Sequence, residues 1–125
     1  MLIRKEEKMM QYKIFQLENM RDSEYGFMSW SFARDHGFSI NDYREVYSGD
    51  IDRIKNDPSC ALSLEAIFTD FNVNRTNDFR GHSLSVSDIV SLKRFPDRNS
   101  RNYYYCDSFG WKDITRSVED QLKTS

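Results

Sequence analysis

The sequence predicts an α+β domain with a small, mostly antiparallel sheet packed against two short helices. Three observations support this prediction. Segments of alternating apolar and polar residues indicate strands, one segment with apolar residues at i, i+3, i+4 and i+7 indicates a helix, and two strand-like runs around a short turn indicate a hairpin. The chain has 125 residues and no repeat, low-complexity tract or linker, so residues 1–125 are expected to form one domain.

The first predicted strand covers residues 10–17. Met10, Tyr12 and Ile14 alternate with polar residues, which places them on one face of a half-buried strand. The residues before it, 1–9, carry charges of both signs and are expected to form a flexible N-terminal arm.

A short helix and a second strand are predicted next. Ser29 is a suitable N-cap for a helix that begins at Trp30, and Gly37 stands where the left-handed residue after a helix is expected. Residues 43–48 alternate again, and Gly49 with the aspartate after it is expected to end this strand in a turn.

The clearest helical signal follows these elements. Ser63 is the predicted N-cap, and the apolar stripe that should face the core consists of Leu64, Ile67, Phe68 and Phe71.

The C-terminal half predicts a hairpin. Its strands are residues 89–95 and 101–107, and residues 96–100 form the loop. A short strand or turn at 111–114 and a helical turn at 118–122 complete the chain.

Composition excludes several classes of protein. Lys and Arg number 18 against 20 Asp and Glu, for a net charge of −2, which argues against a globally basic nucleic-acid binder. No apolar run approaches the roughly 18–20 residues of a membrane-spanning helix. The N-terminus has no secretory signal, so a cytoplasmic location with reduced Cys60 and Cys106 is expected. With two histidines and no paired cysteines, neither a metal site nor a cofactor is predicted.

Two sequence blocks resemble the YodL-like domain family. They are Asp-Phe-Arg-Gly-His-Ser-Leu-Ser-Val-Ser-Asp-Ile-Val at 78–90 and Tyr-Cys-Asp-Ser-Phe-Gly-Trp at 105–111. The strand segments 12–17 and 43–49 fit the same pattern, so the similarity runs from about residue 12 to 114. Cys106 stands where the family usually has an aliphatic residue. The resemblance implies an accessory module of Gram-positive bacteria, often carried on mobile elements, with no general enzymatic activity.

The polar block at residues 80–88 has two interpretations. In the first, His82 is an acid–base group oriented by Asp88 or Asp107, because catalysis by an imidazole needs a partner that fixes its tautomer. In the second, the glycine and serines form turns and Asp88 anchors the start of a strand. The second is favoured, because no nucleophile motif surrounds any serine. Phe109 and Trp111, further along, are expected to be core or rim residues rather than a ligand cage.

The charges are unevenly distributed along the chain. Residues 41–70 contain seven acids and three bases, whereas residues 93–101 contain four bases and one acid. Basic residues interleaved with tyrosines could grip a single nucleic-acid strand. The acidic segment could instead compete for the basic groove of a nucleic-acid enzyme. The candidate contact residues are Arg94, Arg98, Arg101, Tyr104 and His82.

The leading hypothesis is a non-enzymatic protein-binding accessory module of a mobile genetic element, acting as an inhibitor of a host protein such as a defence nuclease. The alternative is a nucleic-acid-binding accessory protein that uses the basic hairpin. A third hypothesis is a hydrolase built around His82 and Asp107.

Overall fold

The fold comes from a computed structural model that describes residues 9–52, 57, 59–73, 82–94 and 101–123, except the side chains of Val73 and Arg94. The α+β prediction is confirmed, with three helices around the sheet where two were expected. The predicted N-terminal arm lies outside the described residues except for Met9, which begins the first strand.

The strands are β1 (Met9–Leu17), β2 (Tyr43–Asp52), β3 (Ile89–Arg94), β4 (Arg101–Cys106) and β5 (Trp111–Asp113). The helices are α1 (Trp30–Asp35), α2 (Ala61–Val73) and α3 (Thr115–Lys123), and a 3-10 helix covers Ile40–Asp42.

The five strands form one sheet in the order β2-β1-β3-β4-β5, and every neighbouring pair is antiparallel. The predicted hairpin is confirmed in its strands, since Ile89 pairs with Tyr105 and Lys93 with Arg101. Its loop, residues 96–100, lies outside the described residues. No helix in the described part of the chain is long and apolar enough to cross a membrane.

The strand β2 continues through the predicted turn. Gly49 pairs with Tyr12 inside the sheet, so the expectation that the strand ends there is wrong. A Cβ at this position would lie 2.9 Å from Tyr12 Oη. The glycine therefore makes room for a tyrosine ring of the neighbouring strand, a requirement of tertiary packing that resembles a turn signal in the sequence.

The cap of α2 is also different from the prediction. Asp57 accepts hydrogen bonds through Oδ1 from the Leu62 N–H (3.1 Å) and through Oδ2 from the Ser63 N–H (3.0 Å) and Ser63 Oγ (2.9 Å). Ser63 is thus a buried residue of the first turn rather than the N-cap. A carboxylate has two acceptor oxygens, and here each of them satisfies one free amide group at the start of the helix.

Both faces of the sheet are covered. The helix α2 covers one face, and α1 and α3 cover the other. Consecutive residues of β4 therefore enter different cores: Tyr104 belongs to the α2 core and Tyr105 to the opposite one. The side chains of both tyrosines are buried, at 6% and 0% exposure.

We expect Leu64→Ala to destabilise the fold by about 2–5 kcal/mol, because Leu64 is only 1% exposed in the α2 core and its truncation leaves a cavity. Leu62→Ala on the same helix is the matched control, since Leu62 is 56% exposed, and it should change the free energy of unfolding by no more than about 0.5 kcal/mol. Urea unfolding of the two variants and the wild type measures both values. Equal losses would contradict the placement of α2.

Candidate functional site

Three exposed apolar side chains lie on two loops that meet where β4 ends. They are Phe27, Met28 and Phe109, exposed by 58%, 38% and 97%, and we call them the apolar surface. Among the described residues only two other large hydrophobic side chains are exposed, Leu62 and Leu122. Single exposed apolar residues are ordinary on a protein surface, so these three are grouped because hydrogen bonds join the loops that carry them.

The first of these loops is held in an unfavourable backbone conformation. Phe27 has φ of 65°, a left-handed value that side chains with a Cβ rarely adopt. Its N–H donates a hydrogen bond to Ser87 Oγ (3.1 Å), and Ser87 is itself fully buried with φ of 86°. Such conformations persist only where surrounding contacts impose them. The exposed position of Phe27 is therefore built into the fold.

The same loop is attached to β4. Tyr105 Oη donates a hydrogen bond to the Met28 carbonyl (2.7 Å). The Trp30 N–H, at the start of α1, donates to Asp107 Oδ1 (3.2 Å). The side chains of Tyr105 and Asp107, at the end of β4, therefore join the turn after β4 to the loop before α1.

The second loop is a tight turn between β4 and β5. The Asp107 N–H donates to the Gly110 carbonyl (2.9 Å), and Asp107 Oδ1 also accepts from the Ser108 N–H (2.8 Å). Gly110 has φ of 74°, which glycine adopts without steric cost. This turn directs Phe109 away from the protein. The expected core or rim position is correct for Trp111, which is half-buried. It is wrong for Phe109, which is 97% exposed.

Two clefts lie beside this turn, and Trp111 with Glu65 lines both. The indole Nε1–H donates to Glu65 Oε1 (3.2 Å), and the Trp111 ring packs edge-on against Phe68 with centroids 6.3 Å apart. The α2 cleft has a volume of about 360 Å³, and its lining includes Leu64, Glu65, Asn102, Tyr104, Trp111 and Asp113. The loop cleft has a volume of about 400 Å³, and its lining includes Glu65, Phe68, Val86, Asp107, Ser108 and Trp111.

Of the predicted hairpin contacts, the structure describes the side chains of Arg101 and Tyr104, and these two do not form an exposed patch. Tyr104 is buried, so its expected role as a surface contact is wrong: alternation in β4 turns it toward α2. The Arg101 guanidinium donates to Ser91 Oγ and Gln11 Oε1, both at 2.7 Å, and so bridges β4, β3 and β1. Arg98 and the side chain of Arg94 lie outside the described residues.

His82 lies beside Asp88. Its Nδ1 is 3.9 Å from Asp88 Oδ2 and 2.7 Å from the Ser83 carbonyl. The bonds of the Asp107 carboxylate among the described residues go to backbone N–H groups. Within the described part of the chain, no hydrogen bond or ion pair joins His82 to Asp107, the pair that the hydrolase hypothesis names.

Asp88 is the centre of a buried polar cluster that the sequence did not reveal. Its side chain is fully buried, and Oδ2 accepts from Gln16 Nε2 (3.0 Å) and the Ser85 N–H (2.9 Å). Gln16 Nε2 also donates to the His82 carbonyl (2.8 Å), and Gln16 Oε1 accepts from the His82 N–H (3.1 Å). These contacts fit the second interpretation of the polar block, in which Asp88 anchors the chain before β3. The available signal was Gln16, a polar residue at an inward position of the β1 alternation.

Burial raises the pKa of Asp88 from its ordinary value of 3.8 to about 7, while the hydrogen bonds from Ser85 and Gln16 act in the opposite direction. Its Oδ1 is buried and has no hydrogen-bond partner among the described residues. An unpaired oxygen favours the protonated form, because the charge cannot be fully solvated.

The described residues contain no group of three His, Cys, Asp or Glu side chains placed to hold a metal ion. Cys60 and Cys106 both lie in the described part of the chain, where they are buried and form no disulfide. Burial raises the pKa of the Cys106 thiol to about 12, so this thiol is not an activated nucleophile at neutral pH.

The family model of the YodL-like domain matches residues 11–116. The match extends from β1 into the start of α3 and includes the apolar surface and both clefts. No curated protein and no solved structure matches the chain.

Asp88→Asn should change how stability depends on pH. In the unfolded chain Asp88 loses its proton near pH 4, whereas in the folded protein it keeps the proton up to about pH 7. Between these values the native state binds more protons, so this residue lowers the free energy of unfolding as pH rises, by at most about 1.4 kcal/mol per pH unit. Urea unfolding from pH 4 to 7.5 should show this loss in the wild type and a smaller one in Asp88→Asn. Parallel pH profiles would contradict the burial of an ionisable Asp88.

Proposed function

The chain belongs to the YodL-like domain family, and we propose that it is a non-enzymatic module that binds another protein through the apolar surface of Phe27, Met28 and Phe109. The observation that carries the proposal is Phe109, an aromatic side chain left 97% exposed on a turn with a fixed conformation.

Burial of one such side chain provides about 1.5–3 kcal/mol. Aromatic residues at the centre of an interface commonly contribute most of its binding energy. On this chain the exposed side chains stand on loops already ordered by hydrogen bonds that Ser87 and Asp107 accept and that Tyr105 donates. Little conformational entropy is then lost when a partner binds, which favours tight association through a small surface.

The charges beside the apolar surface indicate the kind of partner. Glu65 and Asp107 line the loop cleft, and Glu65 and Asp113 line the α2 cleft. An acidic border around an aromatic anchor complements a basic protein face. This agrees with the proposal that the partner is a host protein such as a defence nuclease, whose basic nucleic-acid groove the module would occupy on behalf of a mobile element.

Nucleic-acid binding through the basic hairpin is the alternative proposal. Among its candidate residues, Arg101 already donates two hydrogen bonds within the sheet and Tyr104 is buried. Random-sequence DNA or RNA that binds at low salt and dissociates at moderate salt would favour this alternative over the protein-binding one.

Phe109→Ser should weaken partner binding by at least tenfold, because it removes the central apolar anchor. The immobilised full chain is exposed to a Gram-positive lysate, captured proteins are identified and purified, and their Kd values are measured by calorimetry for the wild type and the variant. Since Phe109 is almost fully exposed, the variant should unfold at the wild-type urea midpoint.

Leu122→Ser is the matched control, because Leu122 is also exposed, by 48%, but lies on α3 outside the apolar surface. It should bind the partner with wild-type affinity. The proposal is overturned when every captured protein binds Phe109→Ser as tightly as it binds the wild type.

A further inference from the structure

We propose that the α2 cleft is a binding site for an arginine side chain of the protein partner. This inference deepens the proposed function and rests on it: Phe109 supplies the apolar anchor, and the cleft beside it supplies recognition of a cation. The cleft combines an aromatic wall, two carboxylates and an amide oxygen, which together match a guanidinium group.

The aromatic wall is Trp111, whereas Tyr104, which also lines the cleft, is buried in the α2 core. Trp111 is held by its hydrogen bond to Glu65 and by edge-on packing against Phe68. Tyr104 is fixed in the α2 core and accepts a hydrogen bond from Asn102 Nδ2 (3.2 Å). A cation over the face of an aromatic ring gains roughly 0.5–2 kcal/mol, and tryptophan is the most favourable ring.

The charged side chains that line the α2 cleft are all negative. Glu65 and Asp113 line it, and no Lys, Arg or His is among its described lining residues. Within the described part of the chain, Glu65 uses Oε1 to hold the indole, and Asp113 uses Oδ1 to accept from the Thr115 N–H (2.9 Å) and Oγ1 (2.6 Å). These contacts fix both carboxylates and leave the second oxygen of each for a ligand.

The acceptor arrangement favours arginine over lysine. Asn102 donates its amide N–H to Tyr104, so its carbonyl oxygen remains as a third acceptor in the cleft lining. A guanidinium offers five N–H donors in one plane and stacks on an aromatic face, whereas an ammonium offers three donors at one point. The volume of about 360 Å³ admits such a side chain from a neighbouring polypeptide.

The test is an NMR titration of the full chain, labelled with nitrogen-15, using N-acetyl-argininamide as the probe. The expected result is a saturable shift of the Trp111 indole N–H signal and of the Asp113 backbone amide. N-acetyl-citrullinamide, which has nearly the same shape but no charge, should produce shifts at least tenfold smaller at equal concentration.

Glu65→Gln should weaken argininamide binding by at least fivefold, because it removes one charge while keeping an oxygen that accepts from the indole. Asp70→Asn is the matched control: Asp70 is an exposed acid on the same helix and is not in the cleft lining. Equal shifts with the citrulline probe, or equal binding by Glu65→Gln and Asp70→Asn, would overturn the proposal.

The two proposals can fail separately. If partner binding depends on Phe109 while Glu65→Gln binds the partner and argininamide as the wild type does, the arginine site is wrong and the proposed function stands. If argininamide binds as expected while no captured protein depends on Phe109, the cleft recognises a guanidinium but the apolar surface is not a protein-binding site.

Discussion

The fold depends on β4, because this strand enters both cores and ends at the candidate site. Tyr104 fills the α2 core and Tyr105 the core under α1 and α3. The hydroxyl of Tyr105 then holds the Met28 carbonyl, and Asp107 holds the first N–H of α1. Because β4 is packed on both faces, the Tyr105 hydroxyl and the Asp107 carboxylate have little conformational freedom. The exposed Phe109 therefore stands on a rigid base, which is the property a preformed binding surface requires.

A second constraint comes from the buried polar cluster around Asp88. Burying a carboxyl group is unfavourable unless hydrogen bonds compensate, and Gln16 and Ser85 provide two of them. In return, Gln16 joins β1 to the backbone of His82 through both its amide atoms. Ser87, the next residue to Asp88, fixes the strained Phe27. The favoured interpretation of the polar block, in which Asp88 anchors the start of a strand, agrees with these contacts, which position the chain before β3 and the loop that carries Phe27.

Much of the fold could be predicted because its signals are local. The alternation of apolar and polar residues predicted β1, and two strand-like runs around a turn predicted the hairpin. Ser29 predicted the start of α1, and its Oγ accepts a hydrogen bond from the Phe32 N–H (3.3 Å). The predictions were wrong where contacts between residues far apart in the sequence determine the local structure. Gly49 is needed for the ring of Tyr12, and the carboxylate that caps α2 comes from Asp57, in a segment with no periodic pattern.

Periodicity, the Ser29 cap and the two motif blocks were enough to predict the α+β class, the family and the approximate positions of most strands and helices, because these signals are properties of neighbouring positions. Which residues are available to a partner depends instead on tertiary packing. Both faces of the sheet are covered, so Tyr104 is buried although Arg101 and Asn102 precede it on the same strand. Phe109 is exposed although it is the more hydrophobic residue, because a hydrogen-bonded turn after β4 directs it into solvent. Exposure depends on what packs against a strand or a turn, and that comes from elements far away in the chain.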